Sequence, residues 1–367
     1  MPMIRPLLAR YEDDLRLFPH PWHKVGLVAV AALALWFPFH AGDHWLQVGN
    51  HALVAVVGAV ALMMLTGFAG QISLGHAAFL AVGAYTVAVL GERFGVPFWL
   101  ALPAAGLAST LVGLAVGPFA LRLEGLYLAI VTIGLLFLVN HVLMALRSIT
   151  HGASGIAVRM HAWFAETGPK ASAMGDFWEP STIAGIALRF EQKLYFVFLA
   201  VAALAALAAR NVRRSNTGRA MMAVRDHDLA AAVLGVHPAG TKIVAFGLSS
   251  FFAGVAGGMF AFQAGYITVS PPFNLDLSVQ YIAMIVLGGI GTVFGAVAGA
   301  VVFVMLRPLA EKAGGLLGLG NHLTSDQQAT LLFSLAVIGF LLFEPWGLEG
   351  IWRRIKRYFQ AWPFRYG

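Results

Sequence analysis

The chain has 367 residues, of which 59% are hydrophobic and only 11% charged, and its formal net charge is +7. A soluble domain holds about 25% charged residues, so a water-soluble surface is excluded and a polytopic membrane protein is implied. The complete lack of cysteine excludes disulfides, thiolate metal sites and thiol catalysis. The cations stand beside apolar runs, so they are read as orienting the chain against the lipid bilayer, and nucleic acid is not an expected partner.

Residues 1–24 carry acids in "YEDDLR", and "WFPFHAGDHW" has no small-x-small cleavage site, so the first apolar run is expected to stay as an anchor. A spanning helix needs about 20 apolar residues. Candidates in chain order are 25–39, 98–120, 126–146, 194–209, 243–264 and 329–343. Two further stretches, 48–90 and 278–306, contain no Asp, Glu, Lys or Arg and are too long for one crossing.

Three basic clusters resolve these two. Arg5, Arg10, Arg16 and Lys24 precede the first run. Arg210, Arg213, Arg214, Arg219, Arg225 and Lys242 occupy 210–242, and Arg353, Arg354, Lys356 and Arg357 lie in the tail. Cytoplasmic placement of all three requires an even number of crossings between each pair. Each long stretch must then cross twice. The expectation is an all-α polytopic membrane protein with about ten transmembrane helices and both termini cytoplasmic. It divides into a cytoplasmic segment 1–24, a transmembrane domain 25–345 and a basic cytoplasmic tail 346–367. Within the domain, 147–193 is a periplasmic loop and 210–242 a cytoplasmic one.

Both double crossings are interrupted by glycine. The first reads "MLTGFAGQISLGHAAFLAVGAY", with Gly67, Gly70, Gly75 and Gly83; the second reads "MIVLGGIGTVFGAVAGAVVF", with Gly288, Gly291, Gly295 and Gly299. Corresponding broken segments in two halves point to a repeat-built transporter with its pathway at the breaks; a generally glycine-rich chain explains them as well. Thr66, Gln71, Ser73 and His76 add polar groups to the first break, where a helix starting near Leu74 would aim its positive end at a cavity. Ser73 as a plain helix cap, with His76 bonded to a neighbour, accounts for the same residues.

Catalytic signatures are missing. There is no phosphate-binding G-x-x-x-x-G-K-[ST], no H-E-x-x-H and no G-x-S-x-G. His40 and His44 have i,i+4 spacing but sit in a loop with no third ligand. His141, inside a span, is expected to make a packing hydrogen bond. No enzyme, cofactor or metal site is therefore expected.

"GRAMMAVRDHDLAAAVLG", 218–235, is a short amphipathic helix between spans. Ser215, Asn216 or Thr217 can cap it, Met221, Val224, Ala231 and Ala232 can share an apolar side, and Gly235 with Pro238 stops it. A helix this short needs a surface to lie on. A basic linker on the membrane is one solution; its small alanines also suit a tight protein groove.

The order "RAMMAVRDHDLAAAVLGV", 219–236, resembles the cytoplasmic coupling motif of ABC importer permeases. More closely, the chain is similar to the LivM-type permeases of branched-chain amino acid importers. "GFAGQISLGHAAFLAVGAYT" (67–86), "LRLEGLYLAIVTIG" (121–134) and "THGASGIAV" (150–158) carry that resemblance. "KIVAFGLSSFFAGVAGGMFA" (242–261) and "MIVLGGIGTVFGAVAGA" (284–300) follow in family order.

The resemblance covers about 48–345 and implies a substrate-conducting subunit of a bacterial inner membrane importer. Its partners would be a LivH-like permease, two cytoplasmic ABC ATPase subunits that use ATP and Mg, and a periplasmic substrate-binding protein. Arg225, Asp228, Ala231 and Gly235 fall in or beside the coupling motif, with the acid displaced by one position. Gly67, Gly70, Gln71, Ser73, Gly75, His76, Gly288 and Gly291 fall where a substrate pathway is expected. His151 and Ala153 depart from the family pattern. Related permeases serve urea, amides or aromatic acids. An ion-coupled secondary transporter would need buried acids, whereas Glu92 and Glu124 stand at span edges.

Overall fold

A backbone in lipid must satisfy its own hydrogen bonds, so the apolar runs fold as helices. The computed structural model describes residues 21–120, 123, 125–163, 177, 181–183, 186–316, 324–344 and 346–361. Residues 1–20 and 362–367 of the terminal segments, Glu124, and much of the 147–193 loop lie outside the described residues.

In chain order the helices are α1 (Pro21–His40), α2 (Asp43–Met63, extended by a π-helical turn Met64–Phe68), α3 (His76–Phe94), α4 (Phe98–Ala120) and α5 (Leu126–Ala145). After the loop come α6 (Phe190–Arg214), α7 (Asn216–Asp226), α8 (Asp228–Val233) and α9 (Pro238–Ala264). The chain closes with α10 (Leu275–Gly288), α11 (Val293–Leu316), α12 (Ser325–Phe343) and α13 (Gly347–Ala361). Among the described residues, seven helices are long and apolar enough to cross a membrane by length and composition; shorter apolar helices cover Val28–His40, Leu275–Gly288 and Thr330–Phe340. Together they coincide with the ten expected passages.

Alternation between two ends follows from the contacts. At one end, the Arg189 guanidinium donates to Asp43 at 2.5 Å, Val158 N–H donates to Gly265 O at 2.9 Å and Asn140 Nδ2 donates to Phe273 O at 2.8 Å. Two small antiparallel sheets, absent from the all-α expectation, help to close this end. β1 (Ile156–Ala157) pairs with β4 (Tyr266–Ile267), and β2 (Ser181–Ile183) with β3 (Ile186–Leu188). The opposite end holds α7, α8, α13 and both glycine breaks.

Helix α2 is the axis of the bundle. It packs on α6, α9 and α11, and its apolar window is 83% buried against 33% for α5. Close crossings depend on absent side chains: a Cβ on Gly83 would lie 2.0 Å from Gly254 O, and one on Gly257 2.0 Å from Leu80 O. Backbones of α3 and α9 therefore touch, gaining contact area that lipid cannot replace.

Several sequence expectations need correction. The 194–209 span is longer, α6 taking in Lys193 at one end and three arginines at the other. The 243–264 span begins at Pro238, which favours the first helical turn because it lacks an N–H, and so Lys242 is buried inside α9. His141 is exposed, while its neighbour Asn140 donates to the Phe273 carbonyl in the loop before α10. His40 stacks on Trp36 at 4.0 Å and His44 meets Trp45 edge-on.

Candidate functional site

The first break spans the end of the π-turn to the start of α3. Its freed backbone groups are taken up by neighbouring helices. Leu74 N–H donates to Thr132 Oγ1 of α5 at 3.0 Å, and Ala77 N–H donates to Ser278 Oγ of α10 at 3.0 Å. Ser73 Oγ accepts from Gly75 N–H at 3.3 Å. The helix starts at His76, two residues later than expected. Its imidazole is buried, bonds to the Gly58 backbone and lies edge-on to Tyr281 at 4.9 Å. Tyr281 in turn fills the notch over Gly58, where a Cβ would come within 2.4 Å of its ring.

The second break is shorter, from Gly289 to Thr292. Thr292 Oγ1 accepts from Gly295 N–H at 3.0 Å and so caps α11. Gly288 packs against α11, its would-be Cβ 1.8 Å from Gly295 O. Gly289 is covered by the start of α13, with Trp346 O and Glu349 Cβ each 2.9 Å from a would-be Cβ.

The two breaks meet. A Cβ on Gly67 would stand 2.8 Å from Gly291 N, and Gly291, at φ +88, has Gly67 O as its neighbour. Arg225, near the end of α7, joins them: its Nη1 donates to Gly67 O at 2.7 Å, and its stem packs on Gly70, at φ +69. Any side chain at Gly70 would strike Arg225 Cγ at 2.6 Å. Asp226 Oδ1 accepts from Arg225 Nε at 2.9 Å and from Nη2 at 2.8 Å, which fixes the guanidinium plane.

The stretch 218–235 folds as two helices rather than the single one expected. Ser215 caps α7, its Oγ accepting from Gly218 N–H at 3.2 Å. The chain then turns extended at His227 (φ −160, ψ 103) before α8. Met221, Val224 and Ala231 are buried as expected, but Ala232 is exposed. Leu229, Val233 and Leu234 are 81%, 88% and 84% exposed, and Gly235 ends α8 at φ +86. The corner between this loop, the first break and the start of α5 encloses a cavity of about 280 Å³, lined among others by Gly70, Gln71, Gly125, Arg225, Asp228 and Lys242.

Of the residues singled out in the sequence, Gly67, Gly70, Gly291 and Arg225 form one junction, and Gln71 and Asp228 line the adjoining cavity. Ser73, Gly75 and His76 lie deeper in the bundle, Gly288 lies in the α10–α11 contact, and Ala231 and Gly235 belong to α8. Thr132, Ser278 and Tyr281 were missed; isolated polar residues in apolar runs were their only signal. Among the described residues, no group of three or more His, Asp or Glu is placed to hold a metal ion.

A broken-helix bundle with a charged loop docked on its breaks is the architecture of a membrane transport component. The family described as "Branched-chain amino acid transport system / permease component" matches residues 46–343. The high-affinity branched-chain amino acid transport system permease protein LivM of Salmonella typhimurium is 32% identical over 290 residues, 78% of this chain and 68% of that protein. The same-named protein of Escherichia coli matches to the same extent. The autoinducer 2 import system permease protein LsrC of Enterobacter sp. is 36% identical over 108 residues, covering 28% of this chain and 31% of that protein. No solved structure matches. The chain belongs to this permease family: it is a multi-pass membrane transport subunit, not an enzyme.

Proposed function

We propose that the chain is the LivM-like half of a permease pair in an ABC importer of the bacterial inner membrane, carrying branched-chain amino acids. A LivH-like subunit completes the pathway, a periplasmic binding protein delivers substrate, and two cytoplasmic ABC ATPase subunits supply work from ATP and Mg. The end that holds α7, α8 and α13 faces the cytoplasm, which agrees with its basic clusters. Domain limits of 25–345 for the transmembrane domain, 210–242 for the coupling loop and 346–367 for the tail follow from the same reading.

The observation that carries the proposal is the Arg225–Gly67 hydrogen bond. It ties the loop 210–242 to the place where both breaks meet. Leu229, Val233 and Leu234 offer an exposed apolar face for an ATPase groove, Ala231 and Gly235 shape that face, and Asp228 stands at its start. Arg225 carries displacement of the loop inward to Gly67, Gly70 and Gly291. Gln71, Ser73, Gly75, His76 and Gly288 then border the moving pathway.

The test is leucine uptake by proteoliposomes holding the assembled complex. ATP-dependent uptake with co-purifying ATPase subunits is expected. Uptake that ignores ATP and follows an imposed ion gradient would overturn the proposal, and transport of urea alone would overturn its substrate. Within that assay, Gly235→Pro is expected to abolish substrate-stimulated ATP hydrolysis without loss of membrane insertion, because proline requires φ near about −65° where Gly235 has +86.

A further inference from the structure

The C-terminal helix α13 follows α12 after three residues. So short a link to the end of an apolar helix keeps it at the membrane surface. Its sequence, "GLEGIWRRIKRYFQA", divides cleanly at 100° per residue. Leu348, Ile351, Trp352 and Ile355 share one arc, while Glu349, Arg353, Arg354 and Lys356 fall on the opposite side.

The helix is seated by specific contacts. Gly347, at φ +66, lies against Gly289 N and Leu287 O, and Trp352 stacks obliquely on Phe294 at 5.5 Å. Arg354 Nη2 donates to the buried Glu344 at 2.8 Å, and Arg353 Nε donates to Glu349 at 3.0 Å. This seat leaves apolar surface uncovered. Trp352 is 49% and Ile355 42% exposed, and the preceding residues Leu342, Phe343 and Trp346 are 77%, 88% and 72% exposed.

We infer that α13 lies in the headgroup layer and binds anionic lipid, with phosphates on its cationic side and Trp352 and Ile355 in the acyl boundary. Charge complementarity selects this occupant: residues 346–367 hold Arg353, Arg354, Lys356, Arg357 and Arg365 against one acid, Glu349. The short link argues for lipid over a soluble partner, because the exposed Leu342 and Phe343 end the apolar helix α12 and so start α13 at the bilayer edge. Helices of this pattern bind by apolar insertion plus attraction to anionic headgroups. Because α13 also covers Gly289, the lipid contact braces the second glycine break.

The chain has no cysteine, so Ile355→Cys and Lys356→Cys each give a unique label on the full-length protein. The labelled proteins are placed in nanodiscs of phosphatidylcholine, or of phosphatidylcholine with an equal amount of phosphatidylglycerol. The Ile355 label is expected to be quenched by brominated acyl chains, and the Lys356 label to become protected from an aqueous quencher only with phosphatidylglycerol. Charge reversal by Arg357→Glu in the Lys356→Cys protein, which leaves the Arg354–Glu344 pair intact, is expected to raise the phosphatidylglycerol needed for half-protection about tenfold. An Ile355 label reached only by the aqueous quencher would overturn surface insertion. Equal protection in both lipids, or an unchanged phosphatidylglycerol dependence after charge reversal, would overturn anionic recognition.

Discussion

The two glycine breaks look alike in sequence and are used differently. The first is long, and side chains of α5 and α10 take up its freed backbone groups. Its outer face is held by Arg225 from the loop helix α7. The second is short, capped by its own Thr292, and lies under the start of α13. One break is thus attached to the loop helix α7, and the other to the C-terminal helix α13. A shared sequence pattern supplies two breaks; on the proposed function, what each is fastened to decides which one receives movement and which one resists it.

That contrast can be broken at the point of contact. Gly291→Val puts a β-branched residue at φ +88, facing Gly67 O; left-handed backbone alone costs such a residue about 1–2 kcal/mol or more. Substrate-stimulated ATP hydrolysis of the assembled complex is expected to fall to background while the protein still elutes as one species. Retained activity would mean that the breaks move independently.

The next effect separates the two attachments. Arg225→Ala removes the bond to Gly67 O and is expected to lower stimulated hydrolysis about tenfold, within the usual range of coupling energies. Arg354→Ala loosens α13 from the buried Glu344 and is expected to cost about threefold, because it removes a brace rather than the driven link. The opposite order would exchange the roles of the two breaks.

Thr132→Val gives the smallest effect on transport. It leaves the Leu74 N–H without its acceptor, a cost of about 1–3 kcal/mol, and is expected to lower the apparent melting temperature in detergent. Transport is expected to change less than twofold.

Much of the fold was legible in the sequence. The ten apolar passages and the doubling of the two uncharged stretches follow from length and charge. A cap at Ser215, Asn216 or Thr217, which proved to be Ser215, and Gly235 as a stop were legible because each serves its own turn of helix. The candidate site was less so. Gly67, Gly70, Gly291 and Arg225 were each picked out, but as members of separate groups. The junction they form, the bend at His227 and the burial of Lys242 had no local signal.

By itself, the sequence determined that this is a membrane protein, where its passages lie, how they alternate and where their helices break. Those properties depend on the transfer of whole segments between water and lipid, which composition and spacing encode. Only the tertiary structure decided that Arg225 reaches a carbonyl 158 residues away and that α13 seals the second break. Lipid and helix surfaces are equally apolar, so the choice of neighbour is made by close packing and hydrogen bonds between particular groups. Those matches exist only once the helices have crossed.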